Sequence, residues 1–286
     1  MHLMRGDLPE VRSFADDIER ALPAALNQIR ANHPLLHHAT LATGSRLAIP
    51  ADIHAEQPTI ATYELPALSS GVALDVDSTV TTIDRLSEST TAIIGYIAFE
   101  YERDIRSGLY VPDNGFLGIA GLLPANVGAN VVAGISEASA PGWRSQVTQT
   151  RPNMYEAFVT SEARCFAGGK APDLTILGTD AYHALVMNIQ PQQRFTTVRA
   201  GFSMLQLHAG GLFHDPFCHA DGGYMLHTAD FQFHASPFDP IADIGIDGQI
   251  RIHVRRREQI TTNRRYRSGM IAPASEGLPA WLRRIR

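Results

Sequence analysis

The chain has 286 residues, enough for one large domain or two smaller ones that share long elements. With 44% hydrophobic and 19% charged residues, and with Gly and Pro dispersed along it, its composition is that of a folded globular protein and excludes a disordered chain. The net charge of -5 conceals a division: residues 251–286 hold ten Arg against Glu258 and Glu276, a balance of +8, and the remainder stands at -13.

From the N-terminus, residues 16–31 place Ile18, Leu22, Leu26 and Ile29 at helical spacing behind acidic residues. This predicts an amphipathic helix, more an arm than part of a core, which Pro23 should start late or kink. From 40 to 64 two β-prone runs, 45–50 and 59–63, flank Asp52-Ile53-His54-Ala55-Glu56 and predict an extended two-stranded hairpin. The hairpin has few large apolar residues, so it is expected to need a neighbouring molecule to hold its shape.

A β-prone stretch, 72–83, comes next. Ile93, Ile94, Ile97, Tyr101 and Ile105 then mark one face of a long helix, opposite Glu100, Glu102, Arg103 and Arg106. It is expected to begin near Asp84 or Ser87 and to end at Gly108 as its C′ residue, about 20 residues and about 30 Å in all. A Gly- and Asn-rich loop, 113–142, leads to a second helix over 152–166, with Pro152 in its first turn. Residues 174–177 read as a buried strand, and Thr179 or Asp180 as the cap of a short helix through Ile189. Strands are expected over 202–208 and as a pair around 218–227 turning at Asp221-Gly222-Gly223. Over 249–260, Ile250, Ile252 and Val254 alternate with Arg251, His253 and Arg255, a half-exposed strand with a basic face.

Chemistry-bearing patterns are sparse. His208, His214, His219, His227 and His234 lie in one stretch with Asp215, Cys218 and Asp221, but their spacing matches no zinc pattern and strand alternation sends successive imidazoles to different faces. Gly168-Gly169-Lys170-Ala171 lacks the leading Gly and the Ser or Thr of a phosphate loop, and Gly201-Phe202-Ser203-Met204-Leu205 fails the serine-hydrolase pattern at its last position. Cys165 and Cys218 form no CxxC and are expected to be buried reduced thiols. The Arg5-Gly6-Asp7 triplet is too short to carry a reading. No apolar run reaches the length of a membrane span and no signal layout opens the chain, so a cytoplasmic location and no membrane partner are expected.

Lys170 is the only lysine; the other 23 cations are Arg, the residue that makes bidentate contacts at interfaces. Arg255-Arg256-Arg257, Arg264-Arg265 and Arg267 suit salt bridges to acidic patches of neighbouring copies better than DNA contact, since no stacking aromatics or recognition helix accompany them. Charge reversal at Arg256 and Arg257 is accordingly expected to impair assembly more than DNA packaging.

Over 171–228 a series of short pieces falls in a specific order: Ala171-Pro172-Asp173-Leu174, Tyr182-His183-Ala184-Leu185, Gln190-Pro191-Gln192-Gln193-Arg194-Phe195, Gly201-Phe202, Asp215-Pro216 with Cys218, and Tyr224-Met225-Leu226-His227-Thr228. Together they resemble a family of tailed-phage major capsid proteins. Val132-Ala133-Gly134-Ile135, Pro141-Gly142-Trp143-Arg144-Ser145-Gln146 and Thr262-Asn263-Arg264-Arg265 through Gly269 are similar to flanking stretches of that family. His227 departs from it, standing where the family has Asn, and 40–64 is short and poorly matched.

The resemblance implies an α+β architecture of the Hong Kong 97 type: an N-terminal arm (1–39), an E-loop (40–64), a P-domain with a spine helix and connecting loop (65–146), an A-domain (147–228) and a C-terminal return to the P-domain (229–286). It implies a major capsid protein without catalytic residue, metal or cofactor, assembling into the pentamers and hexamers of an icosahedral phage head in the host cytoplasm and residing in the virion. The implied partners are further copies of the chain, a portal protein, a separate scaffolding protein, a decoration or cement protein, and packaged DNA bound nonspecifically. Arg46, Asp52, Glu56, Arg255, Arg256, Arg257, Arg264 and Arg265 are the expected self-assembly contacts. Because Lys170 lies outside the E-loop, the Lys-to-Asn crosslink that some phages of this fold form is not expected here. Two other readings compete: an encapsulin-like compartment, which shares the fold, and a metal-dependent enzyme built on the histidines from His208 to His234.

Overall fold

The computed structural model describes residues 9–37, 39–53, 59–75, 80–113, 115–149, 153–166, 170–189, 195–199, 202–207, 210–244 and 249–272. The first half of the chain runs through α1 (Pro9–Ala31), β1 (Ala39–Leu41), β2 (Arg46–Ala51), β3 (Thr59–Glu64), β4 (Ala67–Asp75), α2 (Val80–Tyr110), α3 (Gly118–Leu122), β5 (Val131–Val132) and β6 (Ile135–Ser136). Next come β7 (Gln146–Gln149), α4 (Met154–Cys165), β8 (Leu174–Leu177), α5 (Thr179–Asn188), β9 (Phe195–Arg199), β10 (Phe202–Leu207) and β11 (Gly210–His214). The last elements are β12 (Gly223–Leu226), β13 (Phe231–Ala235), β14 (Asp239–Ile244), β15 (Gln249–Thr262) and β16 (Gly269–Ala272).

Two sheets organise these elements. In the five-stranded sheet the 14-residue β15 is the central strand. β13 and β14 pair with successive parts of one of its edges, β4 pairs along its first part, and β1 adds to β13 in parallel. The seven-stranded sheet has the order β7-β16-β12-β8-β11-β10-β9. Three of its inner strands, β8, β12 and β16, are buried at every position, which is why they show no alternation of apolar and charged residues. The described residues between 229 and 272 therefore divide between the sheets, β13–β15 entering one and β16 the other.

The helix α2 connects the two. Ile97, Tyr101, Ile105, Leu109 and Tyr110 are buried along one face in a core that includes Phe233 and Val254 from one sheet and Ile176 and Tyr224 from the other. Its 31 residues exceed the expected helix at both ends, and residues 80–83, expected to be extended, are its first turn. Gly108 lies inside it and is not its C′ residue; a β-carbon there would stand 3.0 Å from the Phe116 ring, so the glycine makes room for that ring.

Tertiary packing also decides the first helix. α1 begins at Pro9 and continues through Pro23, because Ile18, Leu22 and Leu26 are buried in the core, and that burial outweighs one missing backbone hydrogen bond. Contrary to the expectation of an arm apart from the core, α1 packs on α2. The hairpin of β2 and β3 forms in the expected place, with Arg46 opposite Glu64 and Ala51 opposite Thr59. It is not left to a neighbour, however. Ala61 and Tyr63 are fully buried, Thr62 N–H donates to Ala133 O at 2.8 Å, and Asp52 N–H donates to Asn263 O at 2.9 Å.

Within 113–142, Ala133 and Gly134 both take positive φ (51° and 78°) and turn β5 into β6, the geometry of a two-residue hairpin. The second helix starts at Met154, its N-cap Asn153 accepting from Tyr155 N–H at 3.0 Å and Glu156 N–H at 3.4 Å; Pro152 lies outside the described residues. Gly178, and neither Thr179 nor Asp180, occupies the N-cap position of α5. Around 218–227 only β12 is a strand, since its partners are the distant β8 and β16 and not the segment before the turn.

Candidate functional site

Alternation along β15 sorts the Arg cluster. Arg255 and Arg257 are exposed, whereas Arg256 is 4% exposed and Glu258 fully buried, on the same face as Val254 and Ile260. Arg256 Nε donates to Glu258 Oε2 at 2.9 Å and its Nη1 to Ser70 Oγ at 2.7 Å, and its guanidinium lies 4.8 Å from the centre of the Tyr101 ring. From α1, Arg30 binds Glu258 Oε1 through Nη2 and donates from Nε to Tyr101 Oη at 2.8 Å; Tyr101 in turn donates to Glu258 Oε1 at 2.8 Å. Two cations and a phenol thus surround one buried carboxylate, the arrangement that makes a buried charge tolerable.

Arg265, expected at an interface, is buried completely. Its Nη2 donates to Glu137 Oε1 at 2.7 Å and its Nη1 to Trp143 O at 3.0 Å, and its Nε binds Leu122 O. The 137 carboxylate also accepts from Gly128 N–H at 2.7 Å. Burial opposes the charge of Glu137, but that amide and Arg265 outweigh it and hold the carboxyl below its usual range. Trp143, itself buried, donates from Nε1 to Val132 O at 3.1 Å. The stretch from 128 to 143 is therefore organised around a guanidinium supplied from residue 265.

A third node lies where α1, α2 and the seven-stranded sheet meet. Asp215, just after β11, accepts at Oδ1 from Arg106 Nη2 (2.8 Å) and Phe217 N–H (3.0 Å) and at Oδ2 from Tyr110 (2.8 Å), with His33 Nε2 at 3.3 Å. Burial works against its ionisation, yet these donors hold the carboxyl at about 2. Burial pushes the His33 imidazole down; Leu35 N–H donates to its Nδ1 at 3.3 Å, and its Nε2 stands 3.3 Å from Asp215 Oδ2.

The remaining expected contacts lie nearer the surface. Arg46 and Glu64 pair at 2.8 Å on the outward face of the hairpin, 71% and 65% exposed. Arg264 donates from Nε to Asp52 Oδ2 at 2.7 Å, which fixes the turn end of the hairpin to its own chain. Glu56 lies outside the described residues. Arg256, Arg264 and Arg265 thus have partners within one chain, as Arg46 has in Glu64, and among the described side chains of β15 Arg255 and Arg257 are the exposed arginines. Sequence reasoning missed Arg30, Glu137, Asp215 and Glu258 as structural ions, and His33 as the imidazole beside Asp215. For Arg256 and Glu258 a signal existed, because the alternation of Ile250, Ile252 and Val254 carries onto 256 and 258.

The histidines have separate surroundings. His214 Nε2 lies 3.2 Å from Thr179 Oγ1, His234 Nε2 lies 3.1 Å from Thr261 Oγ1, and His227 is held between Cys165 O and Arg267 Nη2, both at 3.1 Å. His208 lies outside the described residues, among which no group of three or more His, Cys, Asp or Glu side chains is placed to hold a metal ion. Cys165 and Cys218 are buried free thiols, and burial pushes the Cys165 thiol up to about 12. Among the described residues no helix is long and apolar enough to cross a membrane.

No protein-family model matches this sequence, and no curated protein matches it. Solved structures do resemble it. The capsid asymmetric unit of cyanophage A-1(L) superposes with a TM-score of 0.63 at 15% identity, covering 82% of this chain and 89% of that one. The capsid of a native GTA particle gives 0.60 at 12% identity, over 86% and 91%. The holo-SrpI encapsulin complex of Synechococcus elongatus gives 0.51 at 12% identity, over 84% and 87%. At such identities the likeness is one of fold: the chain has the α+β Hong Kong 97-type capsid fold.

Proposed function

We propose that this chain is a shell-forming subunit and not an enzyme: a major capsid protein whose copies assemble into the pentamers and hexamers of an icosahedral phage head around double-stranded DNA. The observation that carries this reading is a fold shared with capsid subunits over more than four-fifths of the chain. The ordered set of short motifs between 171 and 228 supports the phage form of that fold. Repetition supplies the energetics: each contact recurs throughout a closed shell, so modest interfaces sum to a stable particle. The exposed Arg255 and Arg257, and Arg46 with its partner Glu64, are charges that contacts between copies can use. A portal protein and a scaffolding protein are the further partners that this reading expects, and a decoration protein is one it allows, with DNA held nonspecifically inside the virion.

Electron microscopy of the expressed full chain, alone and with its scaffolding protein, tests the reading. Closed icosahedral particles are expected, and a chain that stays monomeric at every concentration and with every helper overturns it. An encapsulin-like compartment is the second reading, favoured by the similarity to the Synechococcus shell. Purified particles decide between the two, since nuclease-protected DNA supports a phage head and an enclosed protein cargo supports a compartment.

A further inference from the structure

Glu258 and Asp215 are both fully buried, one on the five-stranded sheet and the other at the end of β11 in the seven-stranded sheet. The same kinds of group meet each of them. One oxygen of each carboxylate accepts a tyrosine hydroxyl from α2, Tyr101 for Glu258 and Tyr110 for Asp215, both at 2.8 Å. The other oxygen accepts an arginine, Arg256 or Arg106. The C-terminal end of α1 and the turn that follows it complete both sets, Arg30 reaching Glu258 and His33 reaching Asp215. These two residues are three apart and joined by a backbone hydrogen bond from His33 N–H to Arg30 O at 3.2 Å.

We propose that the end of α1 is a strap that couples the two sheets, so that one helical turn, anchored at a carboxylate of each, sets their relative position. The turn cannot shift at one anchor without disturbing the other, because Arg30 and His33 share it. Removing either anchor therefore loosens the sheet that holds the other. Aromatic rings hold both donors in place. Arg30 lies over the Phe238 ring at 4.2 Å, and His33 meets the Phe213 ring edge-on at 5.6 Å, so an aromatic ring flanks each side chain. The inference stands independently of whether the chain builds a shell.

Amide hydrogen exchange read by mass spectrometry on the full chain, with each variant in the same assembly state, tests it. His33→Leu removes the anchor on the seven-stranded sheet and is expected to lower protection about tenfold in peptides of β13 and β15, on the other sheet. His33→Gln, which retains an N–H donor for Asp215, is expected to restore that protection. Phe158→Leu, in the separate cluster beneath α4, serves as the control: at a matched melting temperature its loosening is expected to stay within the seven-stranded sheet. The proposal is overturned if His33→Leu loosens only α1 and the strands around Asp215, or if the control loosens β15 equally. Should His33→Leu fail to fold, Arg30→Lys gives the reciprocal reading: loss of protection at β11 supports the strap, and unchanged protection there overturns it.

Discussion

Glu258 shows what a buried charge demands of its surroundings. Fully desolvated, it is held by Arg30, Arg256 and Tyr101, and removing its charge leaves two guanidinium groups facing one another without compensation. Glu258→Gln is therefore expected to destabilise the subunit by about 3 to 5 kcal/mol, read as a lowered urea midpoint at unchanged slope. Arg256 and Arg257 are adjacent in sequence yet predict opposite phenotypes. Arg256→Glu places a second carboxylate beside Glu258 and is expected to yield insoluble protein. Arg257→Glu changes an exposed side chain and is expected to leave folding within about 0.5 kcal/mol while lowering particle yield, as measured by sedimentation. If Arg257→Glu assembles normally, the outward face of β15 is not a contact between copies.

At the scale of elements, α1 tolerates a proline because its apolar stripe is engaged along α2. The Pro23 ring removes one backbone donor from the helix interior, so Pro23→Ala is expected to raise stability by about 1 to 3 kcal/mol and the melting temperature by several degrees. A fall in melting temperature would mean that the proline ring itself contributes to the packing of α1 on α2. The hairpin of β2 and β3 follows from its own residues: one face carries Leu47, Ile49, Ala61 and Tyr63, the other Arg46, Ala48, Thr62 and Glu64. Its docking does not. Near the turn end of the hairpin, Ile53 O stands only 2.6 Å from where a β-carbon on residue 142 would be, so this contact depends on Gly142, which is distant in sequence.

For the molecule as a whole, burial fixes the response to acid. His33, His219, His227 and His234 all have lowered pKa values, His219 at about 4, because burial disfavours their charged forms. The unfolded chain binds protons near 6.5 that the folded chain refuses, so stability is full above that value and falls as pH drops toward 4. Asp215, lowered from 3.8 to about 2, withdraws its contribution over that lower interval in the same direction. Urea midpoints measured from neutral pH down to about pH 4 are expected to decline throughout, and a flat profile contradicts the buried neutral imidazoles. If particles form, denaturing electrophoresis is expected to show monomer and no covalent ladder, since Lys170 is the sole lysine and lies outside the hairpin.

The sequence by itself determined the periodic elements: the apolar faces of α1 and α2, the buried run of β8, the hairpin at 46–64 and the long alternation of β15. Each is a pattern within a few turns or a few residues, so it is written locally. Only the tertiary structure decided which arginines turn inward, that α1 belongs to the core, and that β16 enters the sheet with β7 and β12. A buried ion is stable only beside its partner, and the partners here are far away along the chain, 228 residues between Arg30 and Glu258 and 128 between Arg265 and Glu137. No local pattern in the chain brings such groups together; the closing of the two sheets around α2 does.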